Sequence, residues 1–231
     1  MQLLWKRLQS KHRTNHHRQR YSSPHSFSQT FIVNVGKDEN KRANILHDAV
    51  FIPRSKFFQA ALRGGWKEAE EKVINLPEDD PKLFASYVQA VYIGGVPEHV
   101  EISDETFDKK SERRSQHYYS LLNLYVSADK LQDTKTKNYA ISKIYKFHCE
   151  KQFTPGCRKI KLVYRNTAED SPLRRLVSEL YAFYVKRSFL AKSDFSAFPP
   201  EFLADLIHLL AVSAPARNDL LIGPEKYYEK D

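Results

Sequence analysis

Residues 64–95 read GGWKEAEEKVINLPEDDPKLFASYVQAVYIGG, and the order of signals within them decides the class of fold. Lys72 to Leu76 is a short strand candidate. Asp80-Pro81 then starts a helix: an N-cap acceptor stands ahead of a proline at the first helical position, where a missing N–H leaves no bond unmade. Leu83, Phe84, Tyr87, Val88, Val91 and Tyr92 keep the i, i+1, i+4, i+5 stripe of a buried helix face. Gly94-Gly95 ends that helix.

Upstream, the run FIVNVG alternates Phe31, Val33 and Val35 with Ile32 and Asn34, which is the period of a strand, closed by Gly36 and the turn-prone KDEN. Arg42 to His47 alternates again and pairs with it as a hairpin. Asp48 is positioned to cap a short helix that stops before Pro53, and Ser55 is a second N-cap. Phe57, Phe58, Ala61 and Leu62 fall on one helical face that ends at Gly64-Gly65. Downstream, Glu101 to Gln116 is charged and aperiodic and reads as an exposed loop. One helix runs from Tyr118 through Leu121, Leu122, Tyr125, Ala128 and Leu131. A second is capped by Asp133 and carries Ala140, Ile141, Ile144 and His148 on one face. Beyond a break at Pro155-Gly156, Ser171-Pro172 starts a helix with Leu173, Leu176, Val177 and Leu180. Pro199-Pro200 precedes another with Leu203, Leu206, Ile207 and Leu210. A strand pair, a helical hairpin, a short strand and then helices give a mixed α+β fold.

Composition removes most catalytic readings. Twenty-nine aromatics among 231 residues supply a real core. The seven glycines form neither G-x-G-x-x-G nor G-x-x-x-x-G-K, and H-E-x-x-H, G-x-S-x-G and C-x-x-C are absent. Cys149 and Cys157 make no disulfide framework and suit a reducing compartment, cytoplasmic or nuclear. No apolar run approaches a membrane span. Of the formal net charge of +9, +6 lies in Met1 to His25, where Lys6, Arg7, Lys11, Arg13, Arg18 and Arg20 meet no acid. That stretch is expected to be an unfolded tail, and its composition is also that of a mitochondrial presequence or a nucleic-acid arm. A fold that binds nucleic acid carries its basic stripe on ordered elements, whereas here the basicity is mainly in the tail.

In this order the residues resemble the BTB/POZ domain, particularly the solitary BTB proteins of filamentous fungi. The resemblance starts at Val35-Gly36, continues with His47 in ILHDAVF and with Ser55 and Phe58 in PRSKFFQAAL, and runs through Trp66, Glu68, Leu76, Pro77, Asp80, Pro81, Phe84, Tyr92 and Gly94. LYVSADKLQDTKTKNYA is similar to the helix pair that follows, and SPLRRLVSELYAFYV to a segment often found after the domain in the fungal proteins. The match covers roughly residues 30 to 185. With residues 1–29 read from their composition as a disordered basic head, it implies a BTB/POZ domain over 30–150 (a small sheet flanked by helical hairpins) and a helical extension over 151–231.

Each singled-out residue also has a physical reading of its own. His47 ends an apolar strand and is expected to be a satisfied core histidine. Ser55 is explained as a helix cap, since a nucleophile needs a base beside it. Phe58 is core by spacing. Glu78, Asp79 and Asp80 invite a metal but stand at a helix start, where acids suit the macrodipole. His148, Cys149 and Cys157 sketch part of a zinc site, but their spacing is not that of a common ligand set, and free thiols are the better reading. Trp66-Lys67-Glu68 differs in kind. In BTB proteins that serve as adaptors for cullin ubiquitin ligases, an apolar-x-Glu motif at this place contributes to cullin recognition. The competing reading is that these residues simply leave the helical hairpin.

The expected function is therefore a non-enzymatic protein–protein interaction module, with no cofactor, no metal, no small-molecule substrate and another protein as its partner. One alternative is a substrate adaptor of a cullin-type ubiquitin ligase, contacting the cullin through Trp66 and Glu68. Another is a nucleic-acid-associated regulator using its basic head. Family members that dimerise by strand exchange carry an amphipathic helix and strand ahead of the first core strand. Tyr21 to Gln29 has no such period, which argues against that form of homodimer and leaves others open.

Overall fold

Alternation makes β1 (Thr30–Val35) a strand with two unlike faces: Phe31, Val33 and Val35 are buried, while Ile32 and Asn34 point the other way. The computed structural model describes residues 28–63, 67–96, 107–151, 153–184, 194–212 and 223–230. β2 (Arg42–His47) returns antiparallel to β1, in the register Phe31↔Leu46 and Val33↔Asn44. A short 3-10 turn, Asp38–Asn40, makes the connection. Gly36 opens it at φ +82°, and a Cβ there would stand 2.9 Å from the ring of Pro81, so both the backbone and the space require glycine.

β3 (Val73–Leu76) lies parallel to β1 on its other side, giving the order β2-β1-β3. A parallel neighbour cannot be reached by a tight turn. The crossover is helical: α1 (Asp48–Phe51), α2 (Lys56–Arg63) and α3 (Lys67–Glu71). Asp48 is not the cap of α1. His47 holds that position without a side-chain bond, because β2 runs into the helix with no residue between. The Asp48 carboxylate instead takes the Lys72 ammonium at 3.2 Å.

α4 (Pro81–Ile93) starts as its sequence predicts. Asp80 Oδ1 accepts the amides of Lys82 and Leu83 at 2.7 and 3.3 Å, and Gly94 closes the helix at φ +76°. Next come α5 (Phe107–Lys130) and α6 (Thr134–Lys151), which lie against each other as a hairpin. Residues 107–116, expected to be loop, are the first turns of α5. They show no apolar period because this end is largely exposed, and its Lys, Glu, Arg and Gln are good helix formers that continue the buried part outward. The rest of the expected loop, 101–106, lies outside the described residues.

α7 (Cys157–Asn166), a helix not expected from the sequence, follows the Pro155-Gly156 break. α8 (Pro172–Tyr184) begins after Ser171, and α9 (Pro200–Val212) after Pro199. The buried face of α9 differs from the expected one. Phe202 and Leu206 point inward, while Ile207 and Leu210 are exposed. The Phe202 ring stacks on Phe198 and meets Tyr181 edge-on at 5.1 Å, and this aromatic packing sets the rotation of the helix.

Buried apolar side chains form one continuous cluster from Phe31 to Tyr227, shared by the sheet, the hairpins and the later helices. The C-terminal end is tied back to the α5–α6 hairpin. Glu229 accepts from the Tyr125 hydroxyl at 3.0 Å and pairs with Lys137, and its backbone exchanges two bonds with the Asn138 side chain. Among the described residues no helix is long and apolar enough to cross a membrane.

Candidate functional site

Most residues singled out in the sequence are brought together as joints of the fold. His47, at the end of β2, is half-buried rather than core. Its Nδ1 lies 2.8 Å from the Tyr92 hydroxyl and the two rings meet edge-on, so the pair fastens the sheet to the end of α4. Tyr92 is accordingly 44% exposed and not part of the buried stripe. Ser55 is wholly buried and works twice: its Oγ accepts the Phe58 amide at 3.0 Å as an N-cap and donates to the Leu131 carbonyl at 2.5 Å. Phe58 sits fully buried between Phe31 and Phe51. The acidic trio is taken up locally: Glu78 pairs with Lys37, Asp79 with Lys130 at 2.6 Å, and Asp80 caps α4 beside Pro81.

His148 belongs to the core. Its Nε2 lies 2.9 Å from the Tyr118 hydroxyl, and burial pushes the imidazole down to about 3, so the ring is neutral at physiological pH. Cys149 and Cys157 are free and half-buried. Among the described residues no three His, Cys, Asp or Glu are grouped to hold a metal.

Asp133 does more than the capping its position predicts. Its carboxylate is inaccessible and accepts from Thr136 N at 2.9 Å, Thr136 Oγ1 at 2.7 Å, Tyr87 Oη at 3.0 Å and Arg54 Nε at 3.2 Å. Arg54 also donates to Thr136 Oγ1 at 2.7 Å. One buried charge thus joins the α1–α2 corner, α4 and the start of α6. Burial first and the Asp133 carboxylate second hold the Tyr87 hydroxyl protonated, far above the ordinary phenol range. Arg54 and Tyr87 carried no sequence signal for this, since they are 79 and 46 residues from Asp133.

Among the described residues, three surfaces are open to a ligand or partner. The first is the outer face of the sheet. Ile45, Ile32 and Val73 are cross-strand neighbours in a single row, with Ile45 67% and Ile32 37% exposed. Asn34 and Asn75 make the next rung, bonded at 3.0 Å. The second surface is α3. Glu68 is exposed there with no ion pair among the described residues, while Lys67 pairs with Glu71 at 3.5 Å. Trp66, its expected companion, lies outside the described residues, as does nearly all of the basic head.

The third surface is a groove of 530 Å³ between α5 and α7. Ser115, Gln116 and Tyr119 line one wall, and Arg158, Lys159, Lys161, Leu162, Arg165 and Asn166 the other. Lys159 reaches across to donate to Ser115 Oγ at 2.6 Å; partial burial and the neighbouring Arg158 both lower its pKa. Arg158, Lys161 and Arg165 lie at i, i+3 and i+7 on α7 with no ion pair among the described residues. Basic residues on an ordered element were therefore missed, although CRKIKLVYRN holds four bases and no acid. Scanned against protein-family models the chain matches none, and no curated protein matches it either.

Proposed function

We propose that the chain is a non-enzymatic protein–protein interaction module of the BTB/POZ type. Two features support the family reading. The element order is a hairpin, a helical crossover, a parallel third strand, a capped helix and a helix pair. The residues that carry the resemblance also meet one another as joints of that frame: His47 with Tyr92, Gly36 with Pro81, and Ser55 with the end of the α5 helix. Asp133, Asp80 and His148 are engaged in capping and core bonds, which supports a structural role for the polar residues and not a catalytic one.

One observation carries the functional part: the apolar row Ile45, Ile32 and Val73 on the outer face of a three-stranded sheet whose inner face is buried. Two-thirds of Ile45 is in contact with water, at a cost that a partner covering the row would remove. The test is affinity purification of the full chain from its native organism, comparing wild type with Ile45→Asp. The expected result is a stoichiometric protein partner that the variant loses while its melting curve is kept. Equal capture by both forms, or no partner with either, refutes the proposal.

A cullin-adaptor reading is favoured by a separate observation, Glu68 on α3, exposed and with no ion pair among the described residues, one residue past Lys67 and two past Trp66. It places the partner on the crossover and not on the sheet.

A further inference from the structure

We infer that the groove between α5 and α7 is a binding site for single-stranded nucleic acid, its phosphates held by Arg158, Lys161 and Arg165 and a base stacked on Tyr119. The inference is independent of the interaction-module reading, since it uses a different face of the molecule.

Charge is the first argument. α7 carries four cations and no acid, and the three on its groove-facing stripe have no carboxylate partner among the described residues. Five other described cations, Lys37, Arg54, Lys130, Lys137 and Lys226, are paired with acids, so what sets α7 apart is that its three cations with no such partner among the described residues share one stripe. Arg158 and Arg165 are about 10 Å apart along the helix at 1.5 Å per residue, with Lys161 between them, so the stripe offers roughly one cation per turn. That spacing follows a line of phosphates, and the like-charge repulsion within it is relieved by an anion. Lys159 shows the repulsion already, its ammonium destabilised partly by Arg158.

The second argument is the opposite wall. Tyr119 is 39% exposed, a large ring left in contact with water beside a cationic stripe. Ser115, Gln116 and Asn166 add neutral hydrogen-bonding groups. A positive groove with an aromatic platform is the combination that holds single strands without reading sequence. A duplex fits less well. α7 is sunk on its far side, where Ile160, Val163 and Tyr164 are buried, so it cannot enter a major groove as a whole helix. A membrane surface is flat where this site is concave, and an acidic peptide has no need of the exposed ring.

The test uses the full chain and a fluorescein-labelled oligothymidylate or oligouridylate of about ten nucleotides, read by anisotropy across a salt series. Arg158→Ala/Lys161→Ala/Arg165→Ala should weaken binding at least tenfold at physiological salt. It should also reduce the slope of log affinity against log salt by about 2, at roughly 0.7 per phosphate contact on a single strand. Tyr119→Ala should weaken binding roughly fivefold or more with little change of slope, and Tyr119→Phe should keep the affinity. In an Arg13→Gln/Arg18→Gln/Arg20→Gln background, which removes charge from the basic head, the Tyr119 effect should persist. Melting curves establish that each variant is folded. The inference is overturned if the triple variant or Tyr119→Ala binds within about twofold of wild type. It is also overturned if poly-glutamate of equal length competes as well as the oligonucleotide, or if phosphatidylserine vesicles do.

Discussion

Replacing Asp133 by alanine should be among the most damaging single changes in this chain, and its cost follows from what the carboxylate holds. The α6 N-cap goes first, at about 1 kcal/mol. Tyr87, wholly buried, is deprived of the acceptor for its hydroxyl, which costs about 1–3 kcal/mol for a stranded buried donor. Arg54 is left without its counter-charge. Its side chain is 16% exposed and keeps Thr136 Oγ1, so it escapes part of the 3–5 kcal/mol typical of a broken buried pair. These effects share one carboxylate and do not add, so the expected destabilisation is about 3–5 kcal/mol. At roughly 2–4 °C per kcal/mol for a chain of this size, the midpoint falls by about 6–20 °C. Urea unfolding followed by far-UV circular dichroism gives the equilibrium number. Tyr87→Phe, which removes one donor and keeps the ring, should cost only about 1 kcal/mol. Arg54→Ala combined with Asp133→Ala should be less damaging than the two single effects summed. A destabilisation below about 1 kcal/mol for Asp133→Ala, or full additivity with Arg54→Ala, would show that the carboxylate is not the joint between the three elements.

Protonation of His148 should set part of the acid sensitivity. Its folded pKa of about 3 lies below the ordinary 6.5, so the unfolded chain binds the proton more readily and stability drains away as pH falls from 6.5 towards 3. By pH 5.5 the decrease is about 1 kcal/mol, and the difference in urea midpoint between wild type and His148→Gln across that range isolates it; parallel pH profiles would contradict the assignment. Glu68→Ala should change stability by no more than about 0.5 kcal/mol, since the side chain is exposed. On the cullin-adaptor reading the same variant abolishes co-purification of the organism's own cullin; if the wild type captures no cullin, or both forms capture it equally, Glu68 is not a cullin contact.

Local chemistry was legible where the sequence alone satisfies it. Asp80-Pro81 with Gly94 bounds α4 because a cap acceptor, a fixed φ and a left-handed stop act within one turn of the helix they limit. The β1–β2 hairpin was legible for a similar reason, its alternation and turn lying within 18 residues, 30–47. What depends on distant partners was not. His47 looked like core because an apolar run ends on it, yet its depth is set by Tyr92, 45 residues away. The rotation of α9 depends on Phe198 and Tyr181, and its own pattern fits either face about equally. The first turns of α5 have no hydrophobic stripe because they bury little, and periodicity reports burial before it reports helix.

The α7 stripe escaped for a different reason, one of averaging. Outside the first 25 residues the chain has 31 bases and 28 acids, a near balance that argues against a polyanion site. A mobile ion does not respond to that sum. Screening confines the field of an exposed charge to about 8–10 Å at physiological salt, a distance spanned by two turns of one helix. Within that radius of Lys161 stand Arg158 and Arg165, on a helix whose ten residues include no acid. Acids such as Glu78 to Asp80 lie at a helix start, where lysines and a cap already engage them. Asp205, which is bonded to α7, is taken up by the Tyr164 hydroxyl on the buried side of that helix. Charge therefore has to be counted along one helix face at a time. Counted that way, CRKIKLVYRN carries the densest positive charge of the described helices, and its exposed cations face an aromatic ring across a groove.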